Sequence, residues 1–425
     1  MQIPEAGSRL GFVLTQTLFQ SAGGGQGFRS FSLPGGNFFK IQNVHDFTSF
    51  QPFEGASNRT ATIVATVSKS PTVYPVDYVK MDLRVSKEAL ELFSRGTELF
   101  TVTNLEAAPI GADKTSAWSV LPKGMVKIAD KIRGISSYTA RIGAHSGGAA
   151  GVFWVDVEKS GKKLVLVSNR WDAGRNKYDH VTASVEAQLV RPLVRGRDLQ
   201  RWTVRPTHSI LIPYEAANDG RAITEPQMKR EFPRTFEYFE IFRGKMVKRP
   251  HYIQHFKSTG APYWSMYNVG NYSFANWRVA WREQTSSFQC AVIEGDPVAI
   301  ADAKLIVVAC GSSDEAHYLA AILNSSPSRF LIDSYVVNIQ ISTHVLKNIS
   351  VPMFSSKSPL HAALAEQSRI CHMAAMAGDA SKVAKAENQI DILASKLWNL
   401  DAISLARIKA SLPAGPSDKD VDSED

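Results

Sequence analysis

Thr60-Ala-Thr-Ile-Val-Ala-Thr-Val67 is the stretch on which the reading of the fold turns. It is short, apolar and β-branched, the character of a strand lying in the body of a sheet. Asn58 and Thr60 bracket Arg59 at a turn just ahead of it. Working backwards, Phe38–Val44 reads as a second strand, Gly23–Gly27 as a flexible loop and Thr15–Ser21 as the start of a helix. Leu10-Gly-Phe-Val-Leu-Thr15 reads as a further short strand. Strand, helix, strand and strand within about 70 residues predict the tail end of an α/β sheet, not a complete α/β domain.

Downstream the texture changes. From about Lys123 to Phe354, strand candidates Val152–Val157, Lys163–Ser168, Ile210–Pro213 and Val279–Trp281 alternate with loops rich in Gly, Asn, Pro and Arg. Asp314–Leu323 carries Ala316, Leu319, Ala320 and Leu323 on one helical stripe. This region reads as α+β with β predominant. Ser358–Leu412 is helical in pattern, with Ile390, Leu393, Leu397 and Leu400 on one face and Asp401 as an N-cap for a last short helix. Beyond Pro413 the acidic tail reads as disordered.

At 425 residues, 44% hydrophobic and 21% charged, the chain is an ordinary globular sequence with room for two or three domains. Its longest apolar run, Val298–Gly311, contains Asp302 and Lys304 and is too short to span a bilayer. The first residues lack the basic and apolar regions of a signal peptide. Three cysteines, Cys290, Cys310 and Cys371, form no CxxC pair, so a reducing, cytoplasmic setting without a membrane is expected.

The net charge of +8 is unevenly spread. Arg191–Lys257 holds 14 Lys/Arg against 7 Asp/Glu, and Arg191–Arg205 holds five arginines with one acid, Asp198. Such density favours a polyanionic partner, while a solvated surface stays open on charge alone.

Catalytic motifs are scarce. GxSxG, HExxH, a P-loop and an EF-hand loop are all missing. Ser146 in Gly143-Ala-His-Ser-Gly147 reads as a loop serine, and Gly23–Gly27 breaks the GxGxxG pattern at Phe28. Cys371-His372 lacks a second ligand pair, and Asp296, Asp302 and Lys304 read as a strand edge with surface charges sooner than a nuclease site. No metal site is expected.

An ordered series of pieces is more telling than any one motif. Arg9-Leu-Gly-Phe-Val-Leu-Thr-Gln-Thr-Leu-Phe19 is followed by Gly27-Phe-Arg29, Val44-His-Asp-Phe47, Phe50-Gln-Pro-Phe53, Ala56-Ser-Asn-Arg-Thr-Ala61 and Val73-Tyr-Pro-Val76. Then come Arg141-Ile-Gly143, Gly147-Gly148, Phe153 and Val190-Arg-Pro-Leu-Val-Arg-Gly-Arg-Asp198. Trp281-Arg-Glu283, Glu315-Ala-His-Tyr-Leu319, Ile322-Leu-Asn-Ser325, Gln340-Ile341, Val351-Pro352 and Gln389–Leu400 complete it. Over nearly the whole chain this resembles the C-terminal part of a bacterial adenine-specific N6 DNA methyltransferase of the type IIG, Eco57I-like restriction–modification class.

The resemblance implies an incomplete Rossmann-like methyltransferase sheet at 1–122. A mainly β target-recognition domain follows at 123–355, then C-terminal helices at 356–412 and an acidic tail at 413–425. Family members bind S-adenosylmethionine through a Gly-rich strand–helix turn and grip the flipped adenine with an [NDS]PP[YFW] tetrapeptide. Neither is in this sequence. No catalytic residue and no binding of S-adenosylmethionine by this chain alone are therefore expected. A separate catalytic chain completing 1–122 is an open alternative, in which this chain acts as a specificity subunit.

In that frame double-stranded DNA is the expected partner. Arg195, Arg197, Arg201 and Arg205 surround the Gly196 turn, and arginine is the commonest reader of guanine edges. Lys245, Lys248 and Arg249, with His251 and Lys257 and the interleaved Tyr252 and Phe256, form a second basic stretch suited to phosphates. Gly147 and Gly148 would permit close backbone approach, and Arg59 is a weak cofactor-rim candidate. Each has its plainer alternative: a solvated strand or helix face, a loop glycine, a turn. The aromatic series Tyr263, Trp264, Tyr267, Tyr272, Phe274, Trp277 and Trp281 reads mostly as core. An unrelated sugar- or protein-binding β domain is the third reading.

Overall fold

A computed structural model describes residues 6–21, 24–47, 58–83, 100–218, 220–285, 287–335 and 341–412. The first sheet is built from β1 (Arg9–Thr15), β2 (Ser32–Leu33), β3 (Asn37–Asp46), β4 (Thr60–Ser68), β5 (Val76–Leu83), β6 (Phe100–Pro109) and β7 (Trp118–Pro122). Its order is β1-β4-β3-β5-β6-β7, with β2 added on β3. The TATIVATV stretch is strand β4, as its composition predicts, paired antiparallel with both β1 and β3.

A remnant of a parallel sheet is not what these strands form. Only β3 and β5 run parallel among the described pairings, and the other neighbours are antiparallel. The burial of β4 follows from this. Ala61, Ile63 and Ala65 point into a core with Phe19, Val44, Tyr78 and Trp118, and Val67 on the same face is buried, while Thr62, Val64 and Thr66 on the other face are half-buried. Apolar β-branched residues on both faces imitate the sequence of a doubly covered strand. The Gly-rich loop also differs from expectation. Gly25 caps a helical turn at Gln26–Arg29, and a Cβ there would meet the Leu18 carbonyl oxygen at 2.2 Å and the Arg29 guanidinium at 2.3 Å. Buried Arg29 donates to the carbonyls of Thr115 (2.8 Å) and Leu18 (2.5 Å), so this segment is packed.

Two further sheets follow. Strands β9 (Trp154–Lys159), β10 (Leu164–Asn169), β11 (Thr182–Glu186), β12 (Val190–Val194), β15 (His208–Leu211) and β18 (Ile300–Ala301) assemble in the order β11-β10-β9-β15-β12-β18. The helix Pro233–Met246 covers this sheet with Tyr238, Phe239, Phe242 and Met246, joined by Trp264. The strand expected from Val152 starts at Trp154, because Ala150–Phe153 is a helical turn. Strands β8 (Arg141–Ile142), β16 (Trp277–Arg282), β17 (Cys290–Ile293) and β19 (Leu305–Cys310) form the third sheet, ordered β17-β16-β19-β8. β13 (Leu199–Gln200) and β14 (Thr203–Val204) are a small hairpin.

The helices predicted at Asp314–Leu323 and beyond Ser358 are present as Ser313–Asn324, Pro359–Met376, Ala380–Leu397 and Ala402–Ser411. Asp401 caps the last, its side chain accepting from Ser404 N at 2.7 Å. These helices share one core with β16, β17 and β19, including Trp281, Leu319, Ile322, Leu364 and Ile390. The chain is thus a mixed α/β protein with several sheets. The acidic tail lies outside the described residues.

Candidate nucleic-acid interface

The Gly196 turn starts where β12 ends. Asp198 accepts the Arg195 backbone N–H at 2.9 Å and its guanidinium through Nε and Nη2, each at 3.1 Å. Thr207 Oγ1 takes a further bond from Arg195 Nη2 at 2.6 Å and donates to Asp198 Oδ1. Both charged partners are buried. Arg195 is therefore a structural group: an arginine read as a DNA contact is spent closing the turn that bears it. Arg201 is likewise directed inward, donating to Glu387 at 2.5 Å and to the Asn324 carbonyl at 2.7 Å. Arg197 and Arg205 are exposed, Arg205 reaching the Met376 carbonyl at 3.4 Å.

The second basic stretch divides in the same way. Arg249 is 3% exposed and donates to the carbonyls of Ser146, Tyr263 (2.6 Å), Ser265 (3.2 Å) and Met246 (3.3 Å). Burial lowers its pKa from the ordinary arginine value. It acts as a strut between three segments, a correction to its reading as a phosphate contact. Lys245 is exposed and pairs with Asp179 at 3.1 Å, and Lys248 is exposed.

Gly147 and Gly148 both have left-handed backbones, with φ of +64° and +86°. A Cβ on Gly147 would lie 3.1 Å from His251 Cβ, and one on Gly148 would lie 2.8 Å from Asn176 Nδ2. Their glycines answer to this turn and its neighbours. Asn176 donates to the Gly148 carbonyl at 2.9 Å, bringing the loop between β10 and β11 alongside. On the other side His145, His251 and His255 gather around Tyr267, with ring centroids 5.2–6.1 Å from the tyrosine. The pKa of His145 is lowered, first by burial and then by neighbouring His251, Lys304 and Arg249.

These contacts join pieces scattered along the sequence. Lys304 packs its Cβ 3.7 Å from where a Gly196 Cβ would be, and a basic strip continues in space through His145 and Gly147-Gly148 to 170–180 and 245–257. Besides the buried strut Arg249, the segments 145–148, 170–180 and 245–257 with Lys304 hold seven Lys/Arg against two Asp. Arg59 is exposed at the start of β4, and no described contact joins it to this strip. Sequence reading missed the 170–180 loop, whose only signal was two aromatics, two arginines and a lysine between two strand candidates.

The other site candidates resolve as structure. Asp302 is buried, not at a surface edge, accepts Lys304 N at 2.8 Å, and has its pKa pushed up to about 6 by burial. His372 is held by Val292 N and the Ser368 carbonyl. No metal-binding cluster of His, Cys, Asp or Glu occurs among the described residues. Tyr263, Trp264 and Trp281 are buried, as expected of core rings.

The fold has a counterpart among solved structures. It is similar to that of a type IIL restriction–modification enzyme, MmeI, whose structure was determined in complex with DNA. That likeness covers 95% of this chain and 49% of MmeI, with a TM-score of 0.52 and 11% identity. A type IIG restriction endonuclease, BpuSI, matches 92% of this chain and 48% of its own at 14% identity, but its TM-score of 0.33 does not establish a common fold. The chain spans about half the length of these proteins. No protein-family model and no curated protein sequence matches it. Among the described residues no helix is long and apolar enough to cross a membrane.

Proposed function

We propose that the chain is the DNA-binding, target-recognition part of a site-specific adenine-N6 DNA methyltransferase of the restriction–modification class. The observation that carries this reading is the fold shared with MmeI over nearly the whole chain. The basic strip supports it, since duplex DNA is held chiefly by cations along its phosphates. In this reading residues 1–122 close the catalytic domain, 123–355 hold the target site and 356–412 brace it, in a cytoplasmic protein. The parent reaction moves a methyl group from S-adenosylmethionine to the N6 amine of an extruded adenine.

The residues present do not fit that cofactor. The Gly-rich turn of the first sheet is filled by the Leu18 carbonyl and the Arg29 guanidinium, leaving no cradle at Gly25. No methyl-transfer step is assigned to these side chains. The same geometry serves the second reading, a specificity subunit beside a separate catalytic chain. Phe12 and Val13 on edge strand β1, each 52% exposed, favour it, because an apolar edge strand is open to pairing.

The test is fluorescence anisotropy of a labelled mixed-sequence duplex across a salt series. Affinity should fall steeply, with a log–log slope of about −0.9 per phosphate neutralised. Affinity indifferent to salt, or no binding, would sink the proposal and favour the sugar- or protein-binding alternative. Labelled methyl from S-adenosylmethionine should not enter adenine when the chain acts alone.

A further inference from the structure

The loop between β10 and β11 presents an arginine that the fold does not use. Asn169 fixes its base, donating to the carbonyls of Gly151 (2.7 Å) and Asp179 (3.0 Å) and accepting from Val181 N (2.7 Å). Inside the loop, Ala173 N bonds the Arg170 carbonyl and Tyr178 N the Trp171 carbonyl. Lys177 Nζ closes onto the carbonyls of Asp172 (2.7 Å) and Gly174 (3.3 Å). Asn176 moors the loop to Gly148. A segment fixed at this many points is ordered before any partner arrives, so binding loses little conformational entropy in it.

Its charges have different fates. Arg170 pairs with Asp156 at 3.2 Å, Lys177 is consumed by the loop's own carbonyls, and Asp179 is neutralised by Lys245 at 3.1 Å. Arg175 is exposed and has no side-chain partner among the described residues. The same loop carries Trp171, 46% exposed although a tryptophan gains much from burial. The hairpin carrying them ends the sheet, since β11 is the edge strand and pairs only with β10 in the sheet order.

We propose that the 170–180 loop enters a groove of duplex DNA, with Arg175 as a specificity-determining contact. A two-stranded β-ribbon is one of the two elements the major groove admits, and the guanidinium fork matches the O6 and N7 acceptors of guanine. Trp171 supplies apolar contact at the groove wall. The exposed Lys248, next in sequence to Arg249 beside Gly147, and the exposed Lys304, near His145, would hold the phosphates. This inference rests on the DNA-binding reading above and adds which element reads sequence.

The experiment is selection by the full chain from duplexes with a randomised centre, repeated with Arg175→Ala, Arg175→Lys and Trp171→Ala. Unchanged urea midpoints establish that each variant is folded. The wild type should recover a preferred site, and R175A should bind that site about 10- to 100-fold more weakly and lose preference at one or two base pairs. R175K should regain affinity for unselected duplex but not the preference, because lysine is a point charge without the fork. W171A should weaken binding to all duplexes alike. Recovery of the same site at the same affinity by R175A would remove the loop from the groove, as would a wild type that binds duplex without any preferred site. Salt-independent binding or none by the wild type is the separate failure of the parent reading, and this inference falls with it.

Discussion

Arg195 and Asp198 face each other inside the Gly196 turn, joined by two guanidinium–carboxylate bonds of 3.1 Å and by the Arg195 backbone N–H. The pair is buried, so neither charge has water to fall back on. Arg197, one residue past the glycine, is exposed. Two arginines with the same sequence credentials therefore have different tasks.

Replacing Arg195 by Ala should destabilise the protein by about 3–5 kcal/mol, the penalty of leaving Asp198 buried without its counter-charge. Arg197→Ala should cost less than Arg195→Ala, because Arg197 is exposed and its removal leaves Asp198 paired with Arg195. Urea unfolding of both decides, and equal midpoints for R195A and the wild type would contradict the buried pair.

Glu387 ties the β13–β14 hairpin to the C-terminal helices. Its Oε1 accepts from Trp202 Nε1 at 2.7 Å and from Arg201 Nε, across more than 180 positions. Trp202 is buried with φ of +65°, a conformation that needs such support. Glu387→Ala should lower stability by about 2–3 kcal/mol, and Glu387→Gln, which keeps an acceptor, by less. An E387Q variant as unstable as E387A, in the same urea assay, would show that the ion pair and not the hydrogen bonds holds the hairpin.

The turn beside the 170–180 loop offers a third test. Gly148→Ala places a Cβ against Asn176 Nδ2 and forces a left-handed backbone on alanine. The backbone term alone is about 1–2 kcal/mol. The urea midpoint should fall accordingly, and proteolysis should cut faster within 170–180 as the Asn176 mooring is lost. Unaltered cleavage there would mean the loop holds its shape without Gly148.

What could be read from the sequence is what local pattern controls. The β-branched run of β4, the stripe on Ser313–Asn324 and the Asp401 cap all emerged because neighbours in sequence determine them. Strand direction did not, since β4 pairs antiparallel through partners 15 to 57 positions away that leave no mark on its own residues. The candidate site followed the same division. Density of arginine located the Gly196 turn, but whether a guanidinium faces solvent or Asp198 depends on Thr207 and the end of β12, which no count of charges contains. The 170–180 loop was passed over because its acids balance most of its cations until Lys245 and Asp156 are seen beside them.

His317 and His372 meet edge to face between the Ser313–Asn324 and Pro359–Met376 helices, ring centroids 4.9 Å apart. His317 Nδ1 bonds Ser368 Oγ at 3.1 Å, and His372 accepts from Val292 N while its other nitrogen donates to the Ser368 carbonyl at 2.8 Å. Charged groups nearby are Glu294, 3.9 Å from His317 Nε2, and Arg369. Burial first, then for His317 the charge of His372 and Arg369, depresses the pKa values to about 3 and about 4. A histidine protonates in the unfolded chain near 6.5, so between that pH and the folded value the unfolded state binds more protons. Stability from this pair is complete above about pH 6.5 and declines as pH falls toward 4. Asp302 and Asp333 act in the opposite sense, for burial raises both to about 6 and the folded state takes up their protons first. Wild-type stability alone therefore mixes two trends. The difference between wild type and His372→Gln, which keeps a donor and an acceptor but does not titrate, isolates the histidine. Urea midpoints from pH 7.5 to 5 should fall less steeply for H372Q, and parallel curves would show that His372 protonates without disturbing the fold.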